Sequence, residues 1–153
     1  MNSPPSANSM KFHSTVSHLL SGVATAHKSH LERRLGEIGL HSGQVFLLME
    51  LWKRDGRRQV DLAAELNIAP PTINKTLTGL IEGGYVTRDR VEDDARSTRI
   101  FLTPDGIAIR SKVEAQWLEI EEEILGELTE AERLILSELL TKLKHFYFGT
   151  EPE

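Results

Sequence analysis

The stretch from Asp93 to Gly106, DDARSTRIFLTPDG, restricts the folds open to this chain more than any other segment. It reads as a charged loop tip, a short strand over Thr98 to Leu102, and a capped helix start. Thr103 offers a side-chain acceptor to the first unpaired N–H groups of a helix. Pro104 suits the first helical position, where no N–H is needed. Just upstream, YVTRDR forms a second short strand with Arg88 and Arg90 on alternate positions. Two strands joined by an acidic, arginine-bearing tip make a β-hairpin wing.

Before the wing lies QVDLAAELNIAPPTINKTLTGLIEGGYV. Val60, Leu62, Ala63 and Leu66 mark a helix of two turns, and Asn67 and Ile68 form a turn. Pro70 opens the next helix, whose inward positions are Ile73, Leu77, Leu80 and Ile81. Gly83 and Gly84 stop it by supplying backbone freedom at its C-terminal cap. Two short helices joined by a tight turn, the second amphipathic, are the helix-turn-helix signature. With the wing they predict a winged helix-turn-helix, mainly α with a small β-wing, that binds duplex DNA.

The flanking segments are helical. Residues 1–9, MNSPPSANS, are polar and read as a disordered tail. A long helix is expected from Lys11 to Gly36, with Phe12, Val16, Leu19, Leu20, Val23, Leu31 and Leu35 on one stripe that also carries His27. A second helix spans Ser42 to Lys53; Val45, Leu48, Met49 and Trp52 follow helical spacing, and Phe46, Leu47 and Leu51 broaden the face. RDGRR then turns the chain through Gly56. After the wing a helix runs from Pro104 to Leu125, carrying Ile107, Ile109, Val113, Trp117, Leu118, Ile120 and Ile124. The last helix starts at Thr129, where Thr129 and Glu132 form a capping box. The sequence thus predicts a single domain over 10–150. Its dimerisation helices are 10–40 and 125–150, its DNA-binding lobe 42–103, and its connecting helix 104–125.

The net charge of −5 argues at first against nucleic acid, yet the charge is unevenly spread. From Lys53 to Lys112 there are 11 basic against 9 acidic residues, and the remainder holds 7 against 14. The segment that carries the helix pair and wing is the basic one. No apolar run approaches the roughly 20 residues of a membrane span, and the N-terminus shows no export pattern. The absence of cysteine removes disulfides and thiolate chemistry, so a cytoplasmic protein is expected. Glycine-rich phosphate loops, G-x-S-x-G and H-E-x-x-H are all missing, which argues against an enzyme, and no cofactor is called for. His13, His18, His27, His30 and His41 raise a metal question, with His27 and His30 one helical turn apart. No quartet of ligands stands at familiar zinc spacing.

These elements, in this order from Lys11 to Phe148, resemble the multiple-antibiotic-resistance regulator (MarR) family of bacterial winged-helix proteins. The resemblance is sharpest in LAAELNIAPPTINKTLTGLIEGGYVTR and in Asp94-Ala95-Arg96 leading to Leu102-Thr103. It implies a homodimer that represses promoters and releases DNA when a small molecule binds. Some positions depart from the family pattern. Ala69 stands where Ser or Thr caps the second helix of the pair, Gly79 where arginine is usual, and His41 in place of threonine.

The expected DNA contacts follow from groove chemistry. Pro70, Pro71, Thr72, Asn74, Lys75, Thr76 and Thr78 face outward on the recognition helix. Asn74 suits adenine, Lys75 guanine or phosphate, and Thr72 a thymine methyl or phosphate. In the wing, Arg96 is placed in the minor groove, oriented through a charge-assisted pair with Asp94. Arg88, Arg90 and Arg99 are phosphate candidates, as are Arg57 and Arg58. Symmetric doubling improves discrimination, so Phe12, Val16, Leu19 and the Leu134–Phe148 stripe are interface candidates. The operator is then an inverted repeat with half-sites about 10 base pairs apart. In this resemblance an effector lies between the dimer helices and the DNA-binding lobe. His27, Met49, Trp52 and Arg110 are the candidate contacts, and an aromatic carboxylate suits an apolar slot with one cation. Two alternatives remain: a zinc-responsive regulator of the same fold, and a winged-helix module that binds protein.

Overall fold

The computed structural model describes residues 11–90 and 98–149. Its contacts divide the chain into one unit running to Glu114 and another from Ala115. The first opens with a single 3-10 turn, Phe12–Ser14, that precedes helix α1, Val16–Gly36. The sequence predicts one uninterrupted helix here. The break falls at Thr15, which leaves the helix as an extended residue and accepts the His18 N–H at 3.3 Å. A threonine hydroxyl favours this capping geometry over a helix interior.

Only Leu31 and Leu35 of α1 are buried. Helix α2, Ser42–Lys53, is the most enclosed element, with Val45, Leu47, Leu48 and Leu51 all in the core. Its start is fixed from α1: Glu32 accepts the Ser42 N–H at 3.3 Å and also the Ser42 hydroxyl. Within the turn, the Gln44 side chain accepts the His41 N–H at 2.9 Å.

A two-residue strand β1, Arg57–Arg58, follows, then helices α3, Gln59–Glu65, and α4, Pro70–Glu82. Ile73, Leu77 and Leu80 of α4 are buried as predicted. Ile81 is not inward; it remains 38% exposed, because a helix this short buries one stripe against α2 and α3. Gly84 has φ of 76°, the left-handed turn that lets the chain leave α4 and enter the wing.

Strands β2, Val86–Arg90, and β3, Thr98–Leu102, pair antiparallel from Val86 opposite Leu102 to Arg90 opposite Thr98. The sequence reads RDGRR as a turn, with Arg57 and Arg58 as phosphate candidates, and predicts no strand here. Here Arg57 and Arg58 pair with Ile100 and Arg99, completing a three-stranded sheet in the order β1-β3-β2. A two-residue strand has no periodicity to read, but it satisfies the free edge of β3.

The wing joins helix α5, Pro104–Leu125, through a dense corner. The Thr103 hydroxyl donates to the Gly84 carbonyl at 2.6 Å and accepts the Gly106 N–H at 3.0 Å. The Thr103 N–H donates to the Tyr85 carbonyl at 3.0 Å, and the Trp52 indole N–H donates to the Gly106 carbonyl at 2.9 Å. Sequence located the cap; in the structure its bonds tie Gly84 and Tyr85, just before β2, to the start of α5, and the Trp52 bond adds α2.

The second unit contains the end of α5 and helix α6, Glu130–Phe148. Thr129 caps α6 with the expected reciprocal pair, its N–H donating to Glu132 at 2.8 Å and its hydroxyl accepting the Glu132 N–H at 3.3 Å. Arg133 holds both oxygens of Glu122, at 3.1 and 3.2 Å. No residue of α6 is buried, although Leu139, Leu140, Leu143, Phe146 and Phe148 lie along it.

Several carboxylates sit below their ordinary pKa. The Ser42 hydroxyl lowers Glu32, the Arg57 guanidinium lowers Glu65, the Arg133 guanidinium lowers Glu122, and the Thr129 N–H lowers Glu132. A folded-state pKa below the unfolded value gives stability that is complete above the unfolded value of about 4.5 and is lost as pH falls through the folded one. The thermal midpoint should therefore hold steady from pH 7 to pH 5, roughly, and then decline. Glu32→Gln should shrink that decline. A midpoint at pH 3 equal to that at pH 7 would remove these contacts from the stability of the fold.

Candidate nucleic-acid interface

Helix α4 presents one face to the core and the other to solvent. Ile73, Leu77 and Leu80 face inward, while Pro70, Pro71, Thr72, Asn74, Lys75 and Thr78 are exposed and Thr76 is half-buried. Ala69 occupies the cap position and makes no side-chain cap bond. Two prolines follow, and the Thr72 N–H is taken by the Ala69 carbonyl at 2.9 Å. The helix start therefore offers an anion few free N–H groups, so recognition rests on side chains.

Those side chains differ in what they leave available. The Thr76 and Thr78 hydroxyls donate to the Thr72 and Asn74 carbonyls, at 3.0 and 2.9 Å. Their oxygens remain acceptors. Lys75 is exposed. Asn74 accepts a hydrogen bond from the Gln59 amide of α3 at 2.6 Å. No local signal announces Gln59, because its partner lies fifteen positions later.

On the wing, Arg88 and Arg90 are exposed at alternate positions of β2, which packs against α4. Arg99 is half-buried, with its guanidinium donating to the Gly56 carbonyl at 2.7 Å. Asp94 and Arg96 lie outside the described residues. Arg57 is directed inward rather than toward solvent: it pairs with Glu50 of α2 at 3.4 Å and with Glu65 of α3. Arg58 is bound by Asp61 through two bonds of 3.1 Å. Arg57 thus serves the junction of β1, α2 and α3, whereas Arg58 stays on the surface beside Asp61.

Of the candidate effector contacts, Trp52 and Arg110 come together, with the guanidinium carbon 5.9 Å from the indole centroid. Arg110 also pairs with Glu114 at 2.7 Å. Met49 is half-buried on α2 one turn before Trp52, and His27 is half-buried on α1. An apolar depression at the α3–α4 turn is lined instead by Val60, Ala63, Ala64, Asn67, Ile68, Ala69 and Pro70. Among the described residues, no three His, Asp or Glu side chains gather as a metal site. None of the described helices is long and apolar enough to cross a membrane.

A helix pair with an exposed polar second helix, flanked by an arginine-bearing hairpin, defines a winged helix-turn-helix. The model of the MarR family matches residues 40–98, the span from α2 to the first residue of β3. The HTH-type transcriptional regulator YwoH of Bacillus subtilis is 28% identical over 106 residues, covering 69% of this chain and 77% of that protein. Among solved structures, a MarR transcriptional regulator from Methanosarcina mazei Go1 superposes with a TM-score of 0.73 at 26% identity, covering 84% of this chain and 86% of that one. The S. aureus MepR–DNA complex gives 0.73 at 26% identity, over 84% of this chain and 96% of that one. Over these spans the chain is similar to DNA-binding transcriptional regulators of the MarR family.

Proposed function

We propose that this regulator is a cytoplasmic homodimeric repressor that grips an inverted-repeat operator and leaves it when a small organic ligand binds. The observation that carries the DNA-binding geometry is the outer face of α4, polar and exposed, packed beside the strand that bears Arg88 and Arg90. The similar MepR of S. aureus has been solved as a complex with DNA, which supports DNA binding as the reading. In this reading α4 enters the major groove. Asn74 reads adenine, Lys75 reads guanine or a phosphate, Thr72 and Thr76 contact methyl or phosphate groups, and Pro70 and Pro71 set the approach. Arg88, Arg90 and Arg99 meet the backbone, while Arg96, paired with Asp94, enters the minor groove.

The second copy covers the apolar face of α6 together with Phe12, Val16 and Leu19, all of which are exposed in the single chain. Trp52 and Arg110 suit an aromatic carboxylate, through a ring face and a cation, with Met49 and His27 as further lining.

The test is a salt titration of binding to a duplex from the regulator's own promoter. Lys75, Arg88 and Arg90 from two copies supply about six phosphate contacts, so affinity should fall about a thousandfold from about 50 to about 200 mM salt. Undetectable or salt-insensitive binding would favour a wing that docks on protein.

A further inference from the structure

We propose that Gln59 sets the direction in which Asn74 reads a base pair, acting as a positioning residue for specificity without itself touching a base. The proposal rests on the DNA-binding reading above. Gln59 is the first residue of α3 and Asn74 stands on the outer face of α4. The hydrogen bond from Gln59 Nε2 to Asn74 Oδ1, 2.6 Å long, therefore crosses from one helix of the pair to the other.

An exposed asparagine by itself has little directional preference. Rotation about its Cβ–Cγ bond is broad and roughly two-fold, so the oxygen and the amino group exchange places easily. In the observed bond the Gln59 amino group holds the oxygen on the α3 side, and reversing Asn74 would require the Gln59 amide to turn as well. Amide oxygen has two lone pairs, and Gln59 occupies one. The other lone pair and the N–H groups stay available, which is the pattern that meets adenine N6 and N7 in the major groove. Thr78 bonds the main-chain carbonyl of Asn74 and leaves its side chain alone.

Direction matters because the edges of the base pairs are ordered. Across the groove, A·T presents an acceptor at N7 and then a donor at N6. An amide held with its donor and acceptor in matching order fits that edge. The reversed amide instead fits an inverted pair, T·A, or the amino and carbonyl groups of C·G. Gln59 thus converts a contact that tolerates several pairs into one that selects a pair and its orientation.

The experiment is selection by the full-length protein from a pool of duplexes with a randomised centre, repeated with Asn74→Ala, Gln59→Leu and Gln59→Glu. The wild type should enrich adenine at one position of each half-site, and Asn74→Ala should lose that preference. Gln59→Leu should weaken the preference at the same position by roughly three- to tenfold, the effect of one hydrogen bond, and leave the other positions unchanged. Gln59→Glu can only accept from Asn74, so it should turn the amide and move the preference toward C·G or the inverted pair.

Unchanged preference in both Gln59 variants would overturn the proposal while sparing Asn74. An equal loss in Gln59→Leu across all sequences would also overturn it, by making Gln59 a phosphate contact. An Asn74→Ala variant with wild-type preference, or a wild type that enriches no sequence, would overturn the underlying reading and this proposal with it. Gln59 is half-exposed, so thermal midpoints near the wild-type value are expected for its variants. If Gln59→Leu fails to fold, Gln59→Glu carries the same test.

Discussion

Replacing Leu139 and Leu143 together with aspartate should leave the chain monomeric and weaken its grip on a two-half-site operator by about a hundredfold or more. These side chains are 51% and 37% exposed, on a helix with no buried residue. Neither belongs to the buried core, so their loss removes only partial packing from the single chain. A helix of this length gains little from backbone propensity and depends on covering its apolar face. Leu136, Leu139, Leu140, Leu143 and Tyr147 follow helical spacing, so a second copy is the partner that the proposed dimer supplies. Two aspartates in that seam would have to be buried unpaired, which costs far more than lost contact area alone. Sedimentation equilibrium would show the mass and a gel-shift titration the affinity. A variant that keeps twice the chain mass would place the dimer seam elsewhere.

Gly106→Ala should be the most damaging single methyl addition among the described glycines. A Cβ at this position would sit 1.9 Å from the Tyr85 carbonyl oxygen and 3.3 Å from a Leu102 methyl. The obstructing atom is backbone, which cannot rotate away, so the start of α5 must move. That shift disturbs the Thr103 bonds to Gly84 and Tyr85 and the Trp52 bond to Gly106. A loss of about 3–5 kcal/mol is expected, near the upper end for point substitutions, with a fall of about 10 °C in thermal midpoint. Gly22→Ala is the control. Nothing lies within 4 Å of its added methyl, and it sits in a helix interior, so it should gain up to about 1 kcal/mol. Equal stability of the two variants would mean that the corner does not hold the wing to α5.

Much of the fold was readable because its signals are local. The limits of α2 and α5, the strands on either side of the tip, and the Thr129–Glu132 box each depend on residues within a turn or two. The outer face of α4 was equally legible, since Ile73, Leu77 and Leu80 leave Asn74 and Lys75 on the opposite side. Reading fell short where a residue's partner lies on a different helix or strand. Strand β1 exists because β3 has an edge some forty positions later, and Arg57 turns inward because Glu50 and Glu65 meet there.

Sequence by itself determined the order of the helices, the existence of the wing and the polar stripe offered to a groove. All of these follow from side-chain spacing and capping chemistry, which act within a few residues. Tertiary structure alone decided that Arg57 is engaged within the fold, that no residue of α6 is buried, and that Gln59 reaches Asn74. The reason is physical: an amphipathic pattern states that a face must be covered and a charge paired, but only chain folding in space supplies the partner.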